Sequence, residues 1–188
     1  MNYWLEEFNR YLIVAGYRNV RIRDVDRFLH TLKDEANDMC AQFLDASLIA
    51  GHEHLRFAVL NALNAFAGHV CISSNLAIEI LLYASAQRQI KEALRLIGVQ
   101  SSTRNVAAVI LGRTQEQTSK KLSAVSQLIG AKRDDSVIDL AYEKQEGIRK
   151  LFRISDVELE AKAQRRGSEK QALIELVIEH MALLVTQR

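Results

Sequence analysis

One nine-residue segment limits the folds open to this chain more than any other. From Leu76 to Ala84 only Glu79 is charged, and Ser73-Ser74-Asn75 precedes the segment as a helix start signal. A helix that is apolar nearly all round must pack against other elements on several sides. The chain therefore needs a core that surrounds residues 76–84.

A polar break follows this helix. Residues 85–89 read Ser-Ala-Gln-Arg-Gln, and apolar residues then recur at helical spacing, namely Ile90, Ala93, Leu94 and Ile97. The opposite face of this second helix is polar and carries Lys91, Glu92 and Arg95. Such an amphipathic helix lies at a surface, so we expect an exposed polar hinge at Arg88.

Capping residues, glycines and apolar periodicity divide the rest of the chain. They predict helices at 1–16, 24–33, 52–67, 114–129, 134–151, 155–167 and from 168 onward, and strands at 19–23, 39–49, 70–72 and 106–111. In the strand at 19–23, Val20 and Ile22 point inward while Arg21 and Arg23 point outward. We expect one α+β domain over residues 1–188, with a mixed or antiparallel sheet of three or four strands.

Composition narrows the class of protein. No apolar run reaches the roughly 18 residues that span a bilayer, and Glu6, Glu7 and Arg10 break any signal-peptide pattern. Cys40 and Cys71 lack paired spacing and are expected to be reduced thiols, which favours a cytoplasmic protein without membrane contact. With a net charge of +2, any RNA contact must be a local patch.

The sequence carries no motif for a phosphate loop, a serine nucleophile or a zinc site. In His52-Glu53-His54 the two histidines would point to different faces of a helix, so we predict no metal. Glu79 is expected to be buried with a structural partner, because a buried carboxylate needs one and no nucleophile is fixed beside it.

The terminal helix is apolar on more than one face. From Ala172 to Val185 the strongly polar residues are only Glu175, Glu179 and His180. A partner protein would cover the second face, whereas a helix inserted centrally in its own fold would give the same pattern. Periodicity leaves both interpretations open.

Several segments resemble the small kinase-binding subunit of the KEOPS complex, the PRPK-binding protein family. The resemblance is carried by Leu76-Ala77-Ile78-Glu79-Ile80-Leu81-Leu82-Tyr83, by Arg88-Gln89-Ile90 with Glu92-Ala93, by Ile97-Gly98-Val99, by Ala58, Ala62 and Ala65, and by residues 175–184. It implies a non-catalytic subunit without cofactor or small-molecule substrate. Such a subunit binds the complex's kinase and recruits the acceptor end of tRNA for threonylcarbamoylation of an adenosine.

The resemblance also implies site residues. The kinase would be bound by the last helix through Leu173, Leu176, Val177, His180 and Leu184. The tRNA would be bound at the hinge by Arg88, Gln89 and Ile90, supported by Lys91 and Arg95. On the charges alone, Arg88, Lys91 and Arg95 form a small positive edge that Arg104 and Arg113 would extend, and an ordinary solvated face would give the same pattern. Residues 1–18 carry no motif of the family.

Two other classes of protein stay open on the residues alone. A small hydrolase or transferase-type enzyme could have a site near His69, Glu79 and Arg88. A generic helical adaptor would instead have a neutral hinge and a fully buried terminal helix.

Overall fold

The computed structural model describes residues 1–33 and 39–185, apart from the side chains of residues 30–33, 166 and 185. The chain divides into two compact units, each built from two separate stretches of sequence. The α+β prediction is confirmed, since helices accompany an antiparallel sheet. The assignment of a single domain over 1–188 stays a prediction.

The sheet unit comprises residues 1–46 and 98–138. Its strands are β1 (Asn2–Leu5), β2 (Arg10–Arg18), β3 (Cys40–Asp45), β4 (Val106–Gly112) and the two-residue β5 (Lys132–Arg133). Four of them follow the order β1-β2-β4-β3, every pair is antiparallel, and β5 pairs with the end of β2. All seven residues of β4, which contains the strand predicted at 106–111, are buried. The helices of the sheet unit are α1 (Val25–Lys33) and α5 (Gln115–Ile129).

The helical unit comprises residues 47–97 and the chain from Asp139 on. Its helices are α2 (His52–Ala67), α3 (Leu76–Ser85), α4 (Ile90–Ile97), α6 (Tyr142–Phe152), α7 (Asp156–Arg166) and α8 (Glu169–Ala182). α3 is the helix that the sequence predicted to be surrounded by the core, and every residue from Glu79 to Ser85 is buried. α2, α4 and α8 pack against it. No helix in the described ranges is long and apolar enough to cross a membrane.

Three predicted elements are absent, and a fourth is interrupted. Residues 2–18 form β1, a 3-10 turn and β2 in place of a helix, because β2 pairs with β4 along its length from Tyr11 to Tyr17. Residues 19–23 are not a strand, although Val20 and Ile22 are buried and Arg21 and Arg23 exposed as predicted. Residues 70–72 are also irregular.

The helix expected over 134–151 is interrupted. A 3-10 turn covers Asp135–Ile138, and α6 begins only at Tyr142. The side chain of Asp135 accepts a hydrogen bond from Gly16 N at 3.0 Å. This bond ties the turn to β2, so the predicted helix is split into two separate pieces.

Candidate functional site

The hinge between α3 and α4 is built by the way α3 ends. Ala86 has a positive φ of 50°, and the amides of Ala86 and Gln87 donate to the carbonyls of Tyr83 and Leu82 at 2.9 and 3.0 Å. This pair of bonds is the Schellman ending of a helix, which reverses the chain abruptly. Arg88, Gln89 and Ile90 follow it and are all exposed. Exposure was predicted for the hinge at Arg88, whereas Ile90 had been assigned to the apolar face of the second helix.

The side chain of Arg88 is hydrogen-bonded to a residue that follows α8, far along the sequence. Its Nη1 donates a hydrogen bond of 3.1 Å to the backbone carbonyl of Leu184, in the 3-10 turn Leu183–Val185 that follows α8. The hinge proposed for RNA and the helix proposed for the kinase are therefore in direct contact. Sequence reasoning had placed the two sites independently.

The cations of α4 differ in how much charge they present. Arg95 forms a bidentate ion pair with Glu92, with N–O distances of 2.6 and 2.9 Å. This pair raises the pKa of Arg95 and lowers that of Glu92. Lys91 is exposed. The positive character of this helix therefore comes mainly from Lys91, with Arg95 largely neutralised by its neighbour.

Arg104 and Arg113, the suggested extension of the basic edge, belong to the sheet unit. Both are exposed, and Arg104 donates to the carbonyls of Ser101, Ser102 and Thr103 at 3.2 to 3.3 Å. Arg104 thus stabilises its own loop.

The residues of α8 chosen as kinase contacts point into the protein. Leu173, Val177 and Leu184 are 0% exposed and Leu176 is 7% exposed. His180 is half-buried, with Nε2 3.9 Å from Glu158 Oε1. α8 packs on α2, α3, α6 and α7, so its own unit covers the faces that periodicity left open.

The apolar surface that α8 and the following turn expose is formed by residues other than the expected kinase contacts. Leu183, one residue beyond the helix, is 52% exposed. Ile174 and Ile178 are half-buried and line a groove of about 400 Å³ together with Phe57. The spacing of apolar residues could not predict which of them are accessible, because buried and half-buried positions alternate around α8.

Glu79 has the structural role that the sequence indicated. Its side chain is fully buried and accepts hydrogen bonds from the amides of Ile72 and Ser73 at 2.7 to 3.1 Å. Burial of Tyr83, one turn along α3, raises the pKa of its hydroxyl, and the negative charge of Glu79 adds to this rise. The enzyme site that the residues left open also included His69 and Arg88. His69 is exposed and has a positive φ of 54° just beyond α2, and Arg88 is hydrogen-bonded to the carbonyl of Leu184.

His54 has a role that sequence reasoning missed. The ring is fully buried, its Nδ1 accepts from Ala50 N at 3.0 Å and its Nε2 lies 2.8 Å from the carbonyl of Ala84. Burial lowers the pKa of His54 to about 4, so the ring is neutral and Nε2 is the donor. His54 thereby joins the start of α2 to the end of α3. Among the described residues, no three His, Cys, Asp or Glu side chains are grouped to hold a metal ion.

These features describe a small α+β protein with an exposed basic hinge joined to its terminal helix, and comparison with known proteins gives the family. Residues 17–184 match the family model of the kinase binding protein CGI-121. The Regulatory protein Cgi121 of Methanocaldococcus jannaschii is 34% identical over 165 residues, which is 88% of this chain and 98% of that protein. The chain belongs to the CGI-121 kinase-binding protein family, which confirms the resemblance. Residues 1–16 lie outside the matched range, although they form β1 and most of β2.

Proposed function

We propose that this chain is a non-catalytic subunit of a KEOPS-type complex. It binds the complex's small kinase and recruits the acceptor end of tRNA for threonylcarbamoylation of an adenosine, while other subunits carry out the ATP and transfer chemistry. The observation that carries the proposal is membership of a kinase-binding family over a range that includes both the hinge and α8.

The RNA contact is the hinge, residues Arg88, Gln89 and Ile90. Arg88 offers a guanidinium for a phosphate, Gln89 offers an amide for a base edge, and the side chain of Ile90 is 41% exposed and offers an apolar contact for a ribose or base. Lys91 adds a second cation to the hinge. Arg95 contributes less, because Glu92 already occupies its guanidinium.

The kinase contact is the exposed end of α8, with His180 and Leu183 at the surface. Leu173, Leu176, Val177 and Leu184 support this surface from below, since they hold α8 on its neighbours. A large apolar side chain that is exposed in the isolated chain gains free energy when a partner protein buries it. Because Arg88 is bonded to Leu184, kinase and tRNA would bind next to each other.

A binding assay with the purified kinase tests the docking surface. We expect Leu183→Arg to weaken binding at least tenfold, because a charge would be buried without a partner in the interface. Val157→Arg on α7 is the matched control, since Val157 is an apolar residue that is 75% exposed. Equal affinity of both variants for the kinase would exclude the end of α8 as the docking surface.

Leu176→Arg is a poor test of the same surface. Leu176 is 7% exposed, so an arginine there would disrupt the packing of α8 whether or not a kinase binds. Loss of kinase binding by that variant would be ambiguous, whereas Leu183→Arg changes a side chain that is already in solvent.

A further inference from the structure

A second cluster of cations lies in the sheet unit, around the start of α1. The exposed side chains of Arg21, Arg23 and Arg27 line one cleft of about 290 Å³. Ile22, Phe28 and Leu128 supply its apolar lining, and Leu128 is 51% exposed although it is a large apolar residue. The hinge contributes no residue to this cleft.

The local backbone explains why the arginines face solvent. Val20 and Ile22 are 1% and 5% exposed, and the Val20 amide donates to the Arg104 carbonyl at 2.7 Å. Because Val20 and Ile22 anchor the segment, the alternating residues Arg21 and Arg23 lie at the surface.

The acid in the cleft is already engaged. Asp24 Oδ1 accepts a hydrogen bond of 2.9 Å from Arg27 N as the cap of α1. The cleft lining therefore carries three arginines and one aspartate, which gives it a positive net charge. The resulting site is positively charged and has an apolar floor.

We propose that this cleft binds the phosphate backbone of RNA, as a second contact in addition to the hinge. A guanidinium presents a planar fork of donors that matches two phosphate oxygens, and a row of such groups fits a chain of phosphates better than a single anion. The apolar floor of Phe28 and Leu128 suits the sugar or base edge between phosphates. The identity of the ligand as RNA rests on the proposed function.

Fluorescence anisotropy of labelled tRNA at a series of salt concentrations tests this proposal. The variant Arg21→Glu/Arg23→Glu should bind intact tRNA at least tenfold more weakly, and the slope of log affinity against log salt should become shallower by about two. The same loss is expected with tRNA that lacks its single-stranded acceptor end. Arg21→Lys/Arg23→Lys should keep the slope but lose part of the affinity, because the charge stays while the fork is lost.

The matched control is Arg165→Glu/Lys170→Glu, which changes the net charge equally at two exposed positions of the helical unit. If this control weakens tRNA binding as much as Arg21→Glu/Arg23→Glu does, the cleft is not an RNA site. That conclusion holds even if Arg88→Glu and removal of the acceptor end still weaken binding. If only the cleft variant weakens binding, the cleft stands and the hinge part of the proposed function fails. Circular dichroism and thermal unfolding confirm that each variant is folded.

Discussion

The guanidinium of Arg88 and the backbone carbonyl of Leu184 are joined by a hydrogen bond of 3.1 Å across 96 residues of sequence. The bond places a cation at the end of α8, where the last carbonyls carry partial negative charge. Arg88 thus holds the turn that follows α8, and in the proposed function it also offers a charge to RNA. The two roles can be separated by experiment.

The structural role predicts a modest loss of stability. Arg88→Ala should lower the free energy of unfolding by about 1 to 3 kcal/mol, because the carbonyl of Leu184, a residue that is 0% exposed, loses its hydrogen bond to the arginine. Urea unfolding measures the change. Arg165→Ala, an exposed arginine of α7, serves as control and should change stability by less than about 0.5 kcal/mol. Identical curves for both variants would show that the bond contributes nothing.

The left-handed residue at the hinge makes a second prediction. Ala86 has a φ of 50°, where a Cβ is disfavoured and glycine is not. Ala86→Gly should therefore raise the free energy of unfolding by about 0.5 to 1 kcal/mol. Ala77→Gly inside α3 should lower it by about 1 kcal/mol. A loss of stability in both variants would contradict the Schellman ending described for α3.

His54 predicts a dependence of stability on pH. Its pKa is about 4 when folded and about 6.5 when unfolded, so the unfolded chain binds the proton more readily. Stability is therefore complete above pH 6.5 and is lost as the pH falls toward 4. Between pH 7 and pH 5 the loss from this group is about 2 kcal/mol.

The measurement is urea unfolding of the wild type and of His54→Gln at both pH values. The variant should be less stable at pH 7, because the paired contacts to Ala50 and Ala84 are disturbed, and should lose less stability on acidification. An equal loss in both proteins would show that His54 is not the group responsible.

Glu79 predicts a large structural effect without a functional one. Glu79→Ala leaves the amides of Ile72 and Ser73 unpaired and should lower the free energy of unfolding by about 2 to 4 kcal/mol. At a temperature where the variant is folded, tRNA affinity should equal that of the wild type. A stable variant with lost tRNA affinity would instead place Glu79 in a binding or reactive site.

The helices were predictable because local signals agree. Ser155 and Glu158 form the capping box that the sequence indicated, and Thr114, Asn75 and Ser168 each cap a helix through a side-chain oxygen. Such caps act over three residues, so sequence reasoning can find them without tertiary information. α2 lies at the predicted residues without a side-chain cap, because Gly51 and Gly68 bound it in the sequence.

The N-terminal strands were not predictable from periodicity. From Leu12 to Tyr17 every residue of β2 is buried, so the side chains on both faces of this strand are inaccessible to solvent. A strand buried on both faces shows no alternation, and in a short window its apolar residues also fit helical spacing. The faces of α8 were undecidable for a related reason, since Leu173 and Val177 would look the same under a partner or under α2.

The most direct test of the proposed function is a double-perturbation cycle on tRNA binding. Wild type and Arg88→Glu are each titrated with intact tRNA and with tRNA lacking its single-stranded acceptor end. We expect either change alone to weaken binding about tenfold or more, and Arg88→Glu to cause no further loss once the acceptor end is gone. Equal losses from Arg88→Glu on both tRNAs, or no loss on either, would contradict binding of the acceptor end at the hinge.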